Sequence, residues 1–85
     1  MATYKILYWQ EVPSQIRAED DDDEINLPLG RRFQDRIDAL ATQRGLSDAD
    51  EYLAQWKWSD ELDRDGTANE VAEAVKAELE GQADW

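Results

Sequence analysis

Hydrophobic positions along the chain change period twice. Between Tyr4 and Val12 the run Ile6-Leu7-Tyr8-Trp9 is apolar on both faces and rich in branched and aromatic side chains, which suits a strand covered on both sides. Pro13 stops that run and with Ser14 supplies a turn, after which Gln15 to Ala18 returns antiparallel. Ile25, Leu27 and Leu29 alternate with Asn26 and Pro28, which suggests a short third strand that Pro28 keeps at a sheet edge.

The period then becomes helical. Phe33, Ile37, Leu40 and Ala41 form one stripe on a helix from about Arg31 to Arg44, and Gly45 stops it. Ser47 caps a second helix, with Asp48, Asp50 and Glu51 in its first turn and Ala49, Tyr52, Leu53 and Trp56 on its inner face. The pattern loosens from Ser59 to Gly66. Thr67 and Glu70 then form a capping box ahead of Ala68, Val71, Ala72, Val75 and Leu79, giving a C-terminal helix of about residues 67–80 that ends at Gly81. The expected fold is α+β: an N-terminal antiparallel β-hairpin, with a third short strand, packed against three α-helices. Residues 1–85 form a single small domain in this reading, with no internal repeat and no dividing linker.

Charge narrows the function classes. The chain has 85 residues, 21 acidic against 9 basic, for a formal net charge of −12. Six acids in a row, Glu19 to Glu24, form an exposed loop in this reading, because adjacent carboxylates resist joint desolvation. Such a molecule repels phosphate backbones and anionic headgroups, so neither nucleic-acid nor membrane binding is expected. The surplus of acids fits adaptation to concentrated salt, or an acidic protein of an ordinary cytoplasm. Histidine and cysteine are absent, which removes disulfides, imidazole and thiolate chemistry and zinc sites built on them. Nothing at the N-terminus resembles a signal peptide and no apolar run could span a bilayer, so a cytoplasmic location is expected.

Glu61, Asp63, Asp65, Gly66 and Thr67 have the alternation of the first half of a calcium loop, but Ala72 stands where the bidentate acid belongs. The stretch reads as a turn entering a helix. No nucleophile, base and orienting group can be picked out from spacing, so the chain is read as no enzyme, with no catalytic residue, cofactor or metal. The candidate partner-binding residues are Arg32, Arg36, Trp58 and Trp85. Arg32 and Arg36 lie four apart on the outer face of helix 1 and could grip a carboxylate-bearing partner, while the alternative pairs Arg31 with Asp35 and turns the others to the acidic loop. Trp9 and Trp56 fit the core. Trp58 and Trp85 are harder to hide, and an exposed tryptophan is a strong interface anchor.

Several short motifs carry a family resemblance. Ile6-Leu7-Tyr8-Trp9 with Val12-Pro13 and Gln15-Ile16, then Leu27-Pro28, Arg32-Phe33-Gln34, Ile37-Asp38, Gly45-Leu46, Tyr52-Leu53-Ala54 and Trp56, resembles the small bacterial "virulence factor" or "conserved virulence factor" domain over roughly residues 4–58. The resemblance implies a domain that occurs alone or attached to helical-repeat proteins, with no reaction or catalytic residue assigned to it. A weaker resemblance, over residues 25–56, joins Ile25-Asn26-Leu27-Pro28-Leu29 to Phe33, Ile37, Leu40, Gly45, Ser47, Tyr52 and Leu53 and is similar to ribbon-helix-helix modules. Asp22, Asp23 and Glu24 lead into that strand where a DNA reader needs cations. The expected function is therefore a non-enzymatic protein-interaction or accessory module, monomeric or homodimeric, with a protein partner. The alternative is an acidic ribbon-helix-helix-like regulator or nucleic-acid mimic.

Overall fold

The computed structural model describes residues 1–46 and 48–83. Strands β1 (Ala2–Trp9) and β2 (Val12–Glu19) pair antiparallel along their length. They turn at Gln10 and Glu11, with Gln10 at a left-handed φ of 53°, as a tight hairpin requires. Val12 and Pro13, expected to close the first strand and open a turn, instead begin β2. Pro13 is tolerated there because the ladder slips beside it: Leu7 pairs with Gln15 and Tyr8 with Pro13, leaving Ser14 as an extra residue in β2.

That slip flips the side-chain alternation of β2. On its far side, Ile16 opposite Ile6 and Ala18 opposite Tyr4 share a face with Ile25 and Leu27 of β3 (Glu24–Pro28). Three residues here, Ile6, Ile16 and Ala18, are buried, and α3 (Ala68–Gln82) covers them with Ala68, Val71, Ala72 and Val75 turned inward. On the near side, Val12 faces the same way as its partner Trp9, and β1 alternation places Trp9 on the opposite face with Leu7. α1 (Arg31–Gln43) packs on β2 and buries Phe33, Ile37, Leu40 and Ala41, with Phe33 near Tyr8, Pro13 and Leu79. Tyr52, in α2 (Ala49–Leu53), lies against Trp9 with ring centroids 5.6 Å apart, and the Trp9 Nε1–H donates to the Tyr52 carbonyl at 3.0 Å. Trp9 is fully enclosed.

The second expected helix is present but ends at Leu53, short of Trp56. α2 is five residues long and buries none of them; Leu53, placed on its inner face by the pattern, is 63% exposed. Trp56, read as part of that stripe, starts β4 (Trp56–Trp58), and the loosened stretch after it contains β5 (Leu62–Arg64). Both pair with β1: Trp9 with Trp56, Leu7 with Trp58, Tyr4 with Leu62, Thr3 with Asp63. The sheet order is β3-β2-β1-β4, with β5 also beside β1. β1 offers a bare edge of backbone donors and acceptors to whatever follows α2. That demand outweighs the four-residue spacing of Tyr52 and Trp56, and Ser59 completes it by donating its N–H to the Ile6 carbonyl and accepting the Ile6 N–H on its Oγ. Ser47, the expected cap, lies outside the described residues, and Asp48 occupies the position before α2. Because β3 is paired along its length with β2 of the same chain, the strand and long helix pair of a ribbon-helix-helix module is not formed.

The acidic run, expected to pack against nothing, is a hairpin turn between β2 and β3 with one structural member. The Asp20 carboxylate accepts from the N–H groups of Asp22 and Asp23 in its own turn, at 2.8 and 2.7 Å, and from Ala68 at the start of α3 at 2.7 Å. It therefore ties the turn to a helix N-terminus where the capping box meets the N–H groups of Thr67 and Glu70. The Ala68 bond foremost, then those to Asp23 and Asp22, holds the Asp20 carboxyl below its ordinary value of 3.8. A group whose folded pKa is depressed stabilises the fold above its unfolded pKa, and that contribution is lost as pH falls through the folded pKa. Asp20→Asn should thus lower Tm by several degrees at pH 7, and the deficit against wild type should shrink as pH drops below about 4. Asp21→Asn should not lower it. Thermal melts of both variants from pH 7 to pH 2 check this.

Candidate functional site

Two faces of one sheet are unequally covered. α3 spans its own face across β1, β2 and β3, whereas on the other Tyr52 of α2 covers Trp9 at the hairpin end. The rest of that second face is an open strip of three cross-strand rows. Glu24, Glu19, Thr3 and Asp63 form the first row, Asn26, Arg17 and Lys5 the second, and Pro28, Gln15, Leu7 and Trp58 the third. Successive rows are two residues apart along each strand, about 7 Å.

Each row has its own chemistry. The first is acidic. The second sets Lys5 directly opposite Arg17, and like charges facing across a strand pair are destabilising. Two local contacts offset this: Arg17 donates to Glu24 at 2.6 Å, and the Lys5 ammonium sits 4.7 Å from the centroid of the Trp58 ring. The hydrogen bond from Arg17, with help from Glu19, holds the Glu24 carboxyl below its ordinary value, and Glu24 in turn raises Arg17. Lys5 has no carboxylate partner among the described residues. A shallow depression of about 170 Å³ lies between the first and second rows, lined by Thr3, Tyr4, Lys5, Arg17, Glu19 and Glu61. The third row is apolar, with Trp58 41% exposed beside Leu7.

Of the residues singled out from sequence, Trp58 lies on this strip. Arg32 and Arg36, on α1, lie off the strip. The Arg32 guanidinium lies over Phe33 and donates to the Glu80 carbonyl in the last turn of α3, where a cation is favoured by the helix dipole. Arg36 is half-buried, and its charge adds to the effect of Arg44 in depressing the Glu11 carboxyl, led by the hydrogen bond from Arg44. Arg31 does pair with Asp35, at 3.8 Å, and Arg44 fastens the end of α1 to Glu11 in the hairpin turn. Trp85 lies outside the described residues. Sequence reading missed Lys5, Leu7, Gln15 and Arg17, because Ile6-Leu7-Tyr8-Trp9 looked buried on both sides. The signal that could have found them is the strict alternation of Thr3, Lys5 and Leu7 against Glu19, Arg17 and Gln15.

Among known proteins, a family model described as "Virulence factor" matches residues 7–84 of the chain. No curated protein and no solved structure matches it.

The two tryptophans should respond oppositely to truncation. Trp9→Ala removes a fully buried ring and its hydrogen bond and should cost about 3–5 kcal/mol, enough to unfold a small domain. Trp58→Ala should remain folded, with a change in unfolding free energy below about 1 kcal/mol. Urea titration followed by circular dichroism measures both.

Proposed function

The chain belongs to the virulence factor family, and from that premise we propose that it is a non-enzymatic protein-interaction module whose contact surface is the open strip around Trp58. The single observation that carries this reading is a sheet face left uncovered beside a buried one, with a partly exposed tryptophan at the end of its third row and the Lys5 ammonium against the ring. Tryptophan and arginine are the side chains most often found where interfaces concentrate their binding energy, and here both stand on rigid strands. The matched segment includes Leu7, Gln15, Arg17 and Trp58.

Enzymatic activity is not part of this reading. The depression on the strip is smaller than the roughly 300–1,000 Å³ of ordinary ligand pockets, and its lining offers no nucleophile hydrogen-bonded to a base. A net charge of −12 and the acidic first row likewise disfavour nucleic acid and anionic membrane as the partner. No described helix is long and apolar enough to cross a membrane. The other acids fit a cytoplasm rich in salt, where screening weakens their mutual repulsion.

The test is a comparative pull-down from a lysate of the source cells at native salt, with wild-type chain, Trp58→Ala and Arg31→Ala as baits. Arg31 is almost wholly exposed on α1, away from the strip. A protein retained by wild type and by Arg31→Ala but lost with Trp58→Ala is the expected result. Equal retention by all three baits would move the interface off the strip.

A further inference from the structure

The order of chemistry on the strip specifies more than that something binds there. We infer that its occupant is an extended peptide segment of a partner protein that presents a basic, an acidic and an apolar side chain on alternate residues. This rests on the strip being the interface proposed above.

The argument is one of matching periods. The rows run acidic, basic, apolar at intervals of two strand residues, about 7 Å. An extended peptide repeats its side chains on one face with that same spacing, so a segment laid along β1 and β2 meets one row with every second residue. Its basic residue falls by Glu19, Glu24 and Asp63, its acidic residue by Lys5 and Arg17, and its apolar residue by Leu7 and Trp58.

The middle position is the most discriminating. Lys5 and Arg17 face one another in a chain where acids outnumber bases, at a cost in the isolated fold that an incoming carboxylate would reverse. Arg17 can turn its planar fork from Glu24, an exposed partner, to such a carboxylate. Trp58 beside them supplies an apolar platform that also shields the ion pair from water.

Two other occupants fit less well. A second copy laid face to face in full register would set the cationic rows over each other, because the middle row remains the middle row when the strip is turned end for end. Single-stranded nucleic acid could stack on Trp58, but its regular phosphates would meet the acidic first row.

A phage-displayed library of random dodecapeptides, selected on the full chain in low-salt buffer, tests the inference. Enriched clones should carry basic and acidic residues two apart and an apolar residue two beyond the acid, in either chain direction. Synthetic peptides from them should bind at least about tenfold more weakly to Trp58→Ala, to Lys5→Gln and to Lys5→Glu, all checked for an unchanged melting transition. Clones that depend on Trp58 but lack the acidic position would overturn the partner chemistry while leaving the interface standing. Clones indifferent to Trp58→Ala, or no enrichment at all, would overturn both. The peptide class also fails if labelled oligouridine binds in a Trp58-dependent way, or if sedimentation shows a dimer that Trp58→Ala dissociates.

Discussion

One extra residue in β2, Ser14, divides the molecule. Without the slip, the side chains of β2 would alternate uniformly, and Val12 would point to the same face as Ile16 and Ala18. With it, Ile16 and Ala18 face α3 while Val12 turns to the side of Trp9, which Tyr52 covers, and all of them join one buried cluster. A single strand thus supplies two packing surfaces. Because the second of these occupies only the hairpin end, the remaining rows of that face stay open, and Trp58 is exposed two residues from the half-buried Trp56. The division between buried and exposed tryptophans therefore follows from backbone register, which a one-residue shift controls completely.

Charge is organised around the same frame. Arginines do most of the internal fastening: Arg44 binds Glu11 in the hairpin turn by a two-pronged contact and also reaches the Gln10 side chain, and Arg64 of β5 grips Glu78 of α3 through two bonds of 3.1 and 2.6 Å. These contacts depress Glu11 and Glu78 below their ordinary values, so their share of stability is present above the unfolded pKa near 4.5 and fades on acidification. Asp20 adds a third acid-sensitive tie, this one to backbone. Within an excess of carboxylates, cations committed to internal pairs make Lys5 distinctive, since it rests on an aromatic ring in place of an acid.

Much of this was legible in the sequence, for reasons that differ by element. The α1 stripe, the Thr67 and Glu70 capping box and the edge position of Pro28 are local effects and emerged as read. The antiparallel hairpin was also legible, although its turn was set at Pro13 instead of Gln10, because proline is a stronger signal than a left-handed glutamine. β4 and β5 were not legible: each is three residues long and owes its extension to the free edge of β1. Trp58 was singled out as an anchor, but its companions came from β1 and β2, and only the pairing register brings them together. The contact of Arg32 with a backbone carbonyl at the far end of α3 is one that no spacing on α1 reveals.

The most direct test of this account is deletion of Ser14, compared with Ser14→Ala, by thermal unfolding followed with near-ultraviolet circular dichroism. The account assigns importance to the residue's presence in the count and not to its side chain. Ser14→Ala should therefore retain the wild-type aromatic signal and a cooperative transition. Deletion should exchange the faces of Val12 and Pro13, remove the cover from Trp9 and abolish both. A deletion variant that kept its aromatic signal and melted cooperatively near the wild-type temperature would contradict the central role given to the register.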